Sequence, residues 1–197
     1  EPYYKDKNIR ITFSDERDEL LETGGGILHA SSLLTCNNPE HKFLVHNVDI
    51  LSNLRLEELW AYSSESSDAV LVVSKRKTAR YLIFDDDMKL VGWTNIQTGE
   101  VKSPFNEVHE TIAKLHSNEL DIEKYHLRAF AGIHYIKTKL IDSMYSWPTK
   151  FSIIDFYLKN CDCHEIKGYT LEDFKLIDVG KLHTLEDANN FATILQE

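Results

Sequence analysis

Short apolar, β-branched runs alternate along this chain with stretches of helical periodicity, and the order of the two predicts the fold class. Ile9-Arg10-Ile11-Thr12-Phe13 alternates as a strand does and leads into an acidic loop, Ser14 to Glu22. After Thr23-Gly24-Gly25-Gly26, the apolar spacing from Ile27 to Leu34 is helical, so glycine is expected to open a helix there. Phe43-Leu44-Val45-His46-Asn47-Val48-Asp49-Ile50 predicts a strand that delivers Asn47 and Asp49 at its carboxyl edge. A helix from about Leu54 to Tyr62 follows, with Leu56, Leu59 and Trp60 facing inward. Ala69 to Val73 is apolar throughout, the mark of a strand covered on both faces.

Beyond Val73, Tyr81 to Phe84 and the residues around Leu90-Val91 flank Asp85-Asp86-Asp87 and predict a hairpin. Asn106 to Lys124 is polar, carries His109 and His116, and by its length predicts a surface excursion with the character of a lid. Leu127 to Ile136 is strand-like, interrupted by Gly132. Phe151 to Leu158 predicts a helix capped by Ser152, with Asp155 at the capping-box position. His164 to Tyr169 and Phe174 to Ile177 are two more strands, and Thr184 caps a closing helix. No repeat, low-complexity tract or linker divides residues 1–197, which reads as a single mixed-sheet α/β domain.

Composition narrows the function classes. No apolar run approaches the ~20 residues of a membrane helix, and no signal-peptide pattern is expected from these residues. Three cysteines without framework spacing fit a reducing cytoplasm. A net charge of −10 argues against a nucleic-acid backbone as partner, though not against a nucleotide carrying its own cation.

The chemistry enters through two carboxylates. Leu176-Ile177-Asp178-Val179-Gly180 repeats the device of the Asp49 run, a short apolar strand that stops on an aspartate. Open α/β sheets bind ligands outside the carboxyl ends of their strands, and two carboxylates there suit one Mg²⁺ shared with substrate phosphates. Each aspartate alone reads more simply as a turn former or helix cap.

Other candidates carry bland readings as well. Asp85-Asp86-Asp87 reads as a solvated turn in preference to a glycosyltransferase-type metal motif, and Cys161-Asp162-Cys163-His164 lacks the second pair that structural zinc needs. Asp155 either contacts a sugar hydroxyl or, more simply, caps its own helix. Trp60 reads as core and Trp93 and Trp147 as pocket walls, while His46 and His183, near the two aspartates in sequence, either orient metal ligands or, more simply, are ordinary hydrogen-bonded histidines.

Asn47-Val48-Asp49, Leu21-Glu22-Thr23-Gly24-Gly25-Gly26, Ala131-Gly132-Ile133-His134 and Ile177-Asp178-Val179-Gly180 together resemble the sugar-1-phosphate nucleotidyltransferases, the family of mannose-1-phosphate guanylyltransferases and amino-sugar-phosphate uridylyltransferases. The resemblance covers nearly all of the chain. It implies a Rossmann-like, mixed and mainly parallel sheet flanked by helices, of the nucleotide-diphospho-sugar transferase type. It further implies that Asp49 and Asp178 are the catalytic Mg²⁺ ligands and that Thr23, Gly24, Gly25 and Asn47 bind the nucleotide. Gly132, Asn95 and Asp155 then face the sugar, although the family often has Glu-Lys-Pro where Asn95 stands.

The implied partners are an NTP and a sugar 1-phosphate, with GTP and a mannose-1-phosphate-like sugar preferred over UTP and an amino-sugar phosphate. A non-catalytic nucleotide-sugar-binding regulatory domain and a glycosyltransferase are the alternatives. The family's glycine-rich loop with Gly-x-Gly-x-Arg, which clamps the triphosphate, has no counterpart here. Glu1-Pro2-Tyr3-Tyr4 comes directly before what resembles the family's third strand, so an N-terminally incomplete fold is expected. Such a chain would expose a sheet edge open to association, in a homodimer for example.

Overall fold

One long strand organises the molecule. In the computed structural model, which describes residues 10–34, 38, 40–63, 67–113, 120–180 and 185–194, strand β8 (Tyr125–Lys137) runs thirteen residues and touches four others. Before it come α1 (Glu22–Ala30), β1 (Lys42–His46), β2 (Ile50–Ser52), α2 (Leu56–Tyr62), β3 (Ala69–Ser74), β4 (Arg80–Phe84), β5 (Leu90–Asn95), β6 (Glu100–Lys102), α3 (Asn106–Ile112) and β7 (Asp121–Ile122). After it come α4 (Thr138–Asp142), α5 (Ile153–Asn160), β9 (Ile166–Tyr169), β10 (Leu176–Asp178) and α6 (Leu185–Ile194).

The main sheet follows the order β6-β5-β4-β8-β3-β9, with β1 and β7 also paired to β8, while β2 and β10 form a separate antiparallel pair. The mixed α/β architecture flanked by helices is as expected, but the balance of directions within the sheet is not. Among the described residues only β3 and β9 pair in parallel, and β8 runs antiparallel to β1, β3, β4 and β7. Apolar content sets burial; direction is set by which distant strand a segment meets, which local pattern does not carry.

A bulge in β8 creates the cleft. Two positions of β3, Leu71 and Val73, lie opposite His134 and Phe130, so four steps along β8 match two along β3. The extra residues bend the strand, and Gly132, with φ +75°, occupies the left-handed conformation the bend requires. The first half of β8 therefore keeps β4 as its neighbour, ending at Leu82 opposite Arg128, while the second half takes β1, starting at Ile133 opposite His46. Between these two ladders one side of β8 lacks a strand partner among the described residues, and a cavity opens there.

Three apolar clusters hold the sheet. Phe156 and Tyr157 of α5 pack with Leu71, Ile136 and Leu140 on one face. Leu59 of α2 packs with Val70, Val72 and Ile133 on the other, where β2 and β10 also lie. Val108 and Ile112 of α3 pack against Ile83 and Leu127, each such side chain contributing roughly 1.5–3 kcal/mol. The Asn106–Lys124 segment is thus not a surface lid over its described length, because α3 is anchored in this third cluster.

Several expectations are corrected. Residues 10–13 form no strand, and Phe13 is exposed. Helix α1 starts at Glu22 and runs through the three glycines instead of following them. Trp60 is half exposed, its ring edge-on to Tyr135 and beneath the Lys42 ammonium, and Leu56 is exposed too. Trp147 packs within the core against Phe151 and Phe156. Asp85 forms the expected turn, accepting from the Asp87 and Lys89 amides at 3.0 and 2.8 Å. The expectations for Ile9, Cys36, His116, His183 and Thr184 fall outside the described residues.

Candidate active site

The expected strand through Asp49 stops at His46, where Asn47 begins a turn closed by the Ile50 amide on the Asn47 carbonyl at 3.2 Å. Val48, at the tip, is fully exposed. The turn is pinned on both sides. Asn47 donates its amide to Gly132 O at 2.9 Å, and Asp49 O accepts from Val179 N at 2.8 Å. The second bond extends the β2·β10 ladder, in which Asp178 lies opposite Ile50, and so brings the two aspartates together.

Gly180 measures their approach. A Cβ built on it would lie 3.1 Å from Asp178 Oδ1 and 3.2 Å from Asp49 Oδ2, so both carboxylates bear on one point. Asp178 Oδ1 also accepts from the Gly180 amide at 3.0 Å. Two carboxylates disposed about one point are a donor set that a shared cation can use. Two hard oxygen donors match the preference of Mg²⁺, which completes its shell with water and phosphate. Among the described residues no cluster of three or more His, Cys, Asp or Glu side chains is disposed to hold a metal, so Cys161 and Cys163 belong to no zinc site there.

Asn47 has a second contact at this end. Its side-chain amide rests where Gly132 would carry a Cβ, with Nδ2 2.7 Å from that position. Two residues on, His134 points to α5 and its Nδ1 lies 2.6 Å from the Tyr157 hydroxyl. Burial pushes His134 down to about 3 and Tyr157 well above its usual range, so both are neutral and clamp α5 to β8. His46 turns its Nδ1 to the Asn47 carbonyl at 2.7 Å.

Thr23, Gly24 and Gly25 stand apart, at the start of α1. Helix amides there lack intrahelical partners, and both glycines donate to Phe151 O, at 2.9 and 3.2 Å. A Cβ on Gly24 or Gly25 would overlap Phe151 or Thr149, and Thr23 Oγ1 accepts from Ile153 N at 3.0 Å. Smallness at these positions is therefore explained by packing against the entry to α5.

Asn95 and Asp155 come together, lining a cavity of about 530 Å³. Ser152 caps α5 as expected, accepting from Ile154 N at 3.2 Å. Asp155 does not complete the capping box; its Oδ1 lies 3.3 Å from Lys102 Nζ across the cavity. Lys102 also sits 5.2 Å from the Trp93 ring centroid, and Asn95 Oδ1 accepts from Gln97 N in the β5–β6 turn. Lys102, Phe130 and Arg76 line this cavity without having been singled out in the sequence. For Lys102 a signal existed: Thr98-Gly99 reads as a hairpin turn, and the resulting register puts Lys102 opposite Trp93.

No known family model matches the sequence, and no curated protein does. Solved structures do match. HddC from Yersinia pseudotuberculosis, in complex with GMP-PN and without it, superimposes with TM-scores of 0.57 and 0.59 at 18% identity, over 88% of this chain and 64% of that one. The inositol-1-phosphate CTP transferase from T. maritima superimposes with a TM-score of 0.57 at 13% identity, over 90% of this chain and 63% of that one. The chain therefore spans less than two thirds of the structures it matches, and it has a sugar-1-phosphate nucleotidyltransferase-like fold of the nucleotide-diphospho-sugar transferase type.

Proposed function

We propose that the protein transfers a nucleoside monophosphate from an NTP to a sugar 1-phosphate, giving a nucleotide sugar and pyrophosphate. The convergence of Asp49 and Asp178 about Gly180, at the carboxyl side of β1 and β10, is the observation that carries this reading. In the reaction a phosphate oxygen of the sugar 1-phosphate attacks the α-phosphorus, and the bond to the departing pyrophosphate breaks. The two carboxylates would hold Mg²⁺, which when bound stabilises charge on the transferring phosphoryl group and its leaving oxygen.

The remaining roles fall to side chains already placed. Asp155 and Asn95 offer acceptors for sugar hydroxyls in a cavity where Trp93 presents an apolar face and Lys102 a cation. Asn47, fixed over Gly132 beside the metal-ligand turn, would contact the nucleotide. Thr23, Gly24 and Gly25 would act on the nucleotide as a rigid wall, since their polar groups already bond residues 151–153. A guanine nucleotide with a mannose-1-phosphate-like sugar is the preferred pair, and the GMP-PN complex of HddC supports the purine.

Pyrophosphate release by the full-length protein, measured for each NTP against mannose 1-phosphate and an amino-sugar 1-phosphate, tests this. Release is expected to need both substrates and Mg²⁺ and to be fastest with GTP and mannose 1-phosphate. Tight binding of a nucleotide sugar with no release for any pair would replace transfer by a binding role.

A further inference from the structure

Helix α5 supplies one wall of the cavity that holds Asn95 and Asp155. Its residues Ile154, Asp155 and Leu158 line that cavity, while Ile153, Phe156 and Tyr157 are buried on its other side. Eight residues make little more than two turns, so a small rotation of α5 would carry Asp155 away from Lys102 and Trp93. The entry to the helix is tied to α1, through the Gly24 and Gly25 amides on Phe151 O and the Ile153 amide on Thr23 Oγ1. Farther along, Phe156 is held by apolar packing, which is non-directional and sets no angle by itself.

Tyr157 supplies the direction. Its hydroxyl lies 2.6 Å from His134 Nδ1, both side chains are buried, and the two rings meet edge to face at 5.6 Å. Neither side chain has another hydrogen-bond partner among the described residues, so the phenol, whose proton has no other acceptor there, donates to Nδ1. Replacing both partners of a buried hydrogen bond by apolar groups of the same shape is nearly neutral for stability; what a satisfied buried pair adds is a unique geometry. His134 is also well placed to share that geometry with the site. Its ring meets Phe130, another wall of the cavity, edge-on at 5.7 Å, and it stands two residues from Gly132, against which the Asn47 amide rests.

We propose that Tyr157 and His134 are positioning residues for the sugar 1-phosphate, fixing the rotation of α5 on β8 and so holding the Asp155 carboxylate in the cavity beside Trp93 and Phe130. The inference rests on the sugar-binding reading of that cavity. Neither residue touches the sugar; both act through Asp155.

A double-mutant cycle of Tyr157→Phe and Asp155→Asn in the full-length protein tests this, read as the KM for mannose 1-phosphate in pyrophosphate release and, without turnover, as its affinity by calorimetry. Tyr157→Phe keeps the ring and is expected to weaken mannose 1-phosphate about fivefold, the scale of one charge-assisted contact, with the KM for GTP unchanged. In the Asp155→Asn background the same substitution should cost less than about twofold, because the group it positions has already lost its charge. His134→Leu combined with Tyr157→Phe leaves no hydroxyl or imidazole unpaired, so that protein should melt close to the wild type and still bind mannose 1-phosphate about fivefold more weakly. Equal weakening by Tyr157→Phe in both backgrounds, or wild-type affinity in the His134→Leu, Tyr157→Phe protein, would overturn the proposal. Unchanged affinity in Asp155→Asn alone would instead remove the sugar-binding reading of Asp155, and this inference with it.

Discussion

Strands β1 and β3 run the same way, since both are antiparallel to β8, and the charges before them differ in kind from those after. Just before the strands, Glu40 and Asp68 both have cations. Asp68 is clasped by Lys139 Nζ at 2.6 Å and His164 Nδ1 at 2.8 Å, and Glu40 holds Lys137 and Lys139 at 2.6 and 3.5 Å. After the strands, Asp49 has no ion pair among the described residues and shares its space with Asp178. Carboxylates that close a network stabilise the sheet, whereas the Asp49 and Asp178 carboxylates both lie beside Gly180. Substitutions at the two ends should therefore separate stability from activity.

Asp49→Asn has the largest expected effect on activity. Nucleotidyl transfer should fall by about a thousandfold or more, given that metal stabilisation of a transferring phosphoryl group is worth several kcal/mol. Stability without metal should stay nearly level, because Asp49 has no ion pair among the described residues to lose. Mg²⁺ should raise the Tm of the wild type and not of the variant. Loss of stability in the metal-free variant would place Asp49 among the structural carboxylates instead.

Asp68→Asn inverts that outcome. Burial raises the Asp68 pKa, but the bonds from Lys139 and His164 outweigh it and hold the carboxyl below its ordinary range. Removing one partner of a buried pair costs about 3 kcal/mol, so chemical denaturation should show a loss of that order while transfer at saturating substrate changes little. The sign with pH follows from the lowered pKa. The stabilisation is present above the unfolded value of about 4 and is lost as pH falls through the folded one, so the gap between wild type and variant should close on acidification below about pH 4.

Gly132→Ala sharpens the comparison at the bulge. Its positive φ and the overlap with the Asn47 amide should together cost about 2 kcal/mol. Gly99, at φ +74° with open space around its Cα, isolates the backbone part. Gly99→Ala should cost about 1 kcal/mol, and the excess at Gly132 reports the Asn47 contact. Equal costs would mean that Asn47 moves aside freely and does not fix the turn.

What could be read in the sequence followed from how local each determinant is. Asp178 ends β10 as its local pattern predicts, and the Asp85 turn and Ser152 cap are local too, whereas Asp49 lies in a turn beyond the end of β1 and meets Asp178 only through the β2·β10 ladder. The start of α1 was not legible. Three glycines disfavour a helix on propensity, and only the Phe151 carbonyl and ring, more than 120 residues away in sequence, make glycine the residue that fits. Strand direction, the split beside β8 and the burial of α3 likewise depend on partners far along the chain.

Asp155 shows that limit within one residue and carries the smallest expected effect. Locally it stands at the capping-box position, a role in which its loss would weaken α5 by about 1 kcal/mol. In the fold its carboxylate turns to Lys102, with both side chains about half exposed, and such pairs contribute at most about 1 kcal/mol. Asp155→Asn keeps the shape and a hydrogen-bonding oxygen, so stability should change by less than about 0.5 kcal/mol. If the carboxylate accepts from a sugar hydroxyl, that charged contact is worth roughly 1 kcal/mol more than a neutral one. The KM for the sugar 1-phosphate should then rise about fivefold with kcat nearly unchanged. A loss in kcat as large as that of Asp49→Asn would move Asp155 into the reacting centre, and an unchanged KM beside a fall in Tm would return it to its helix.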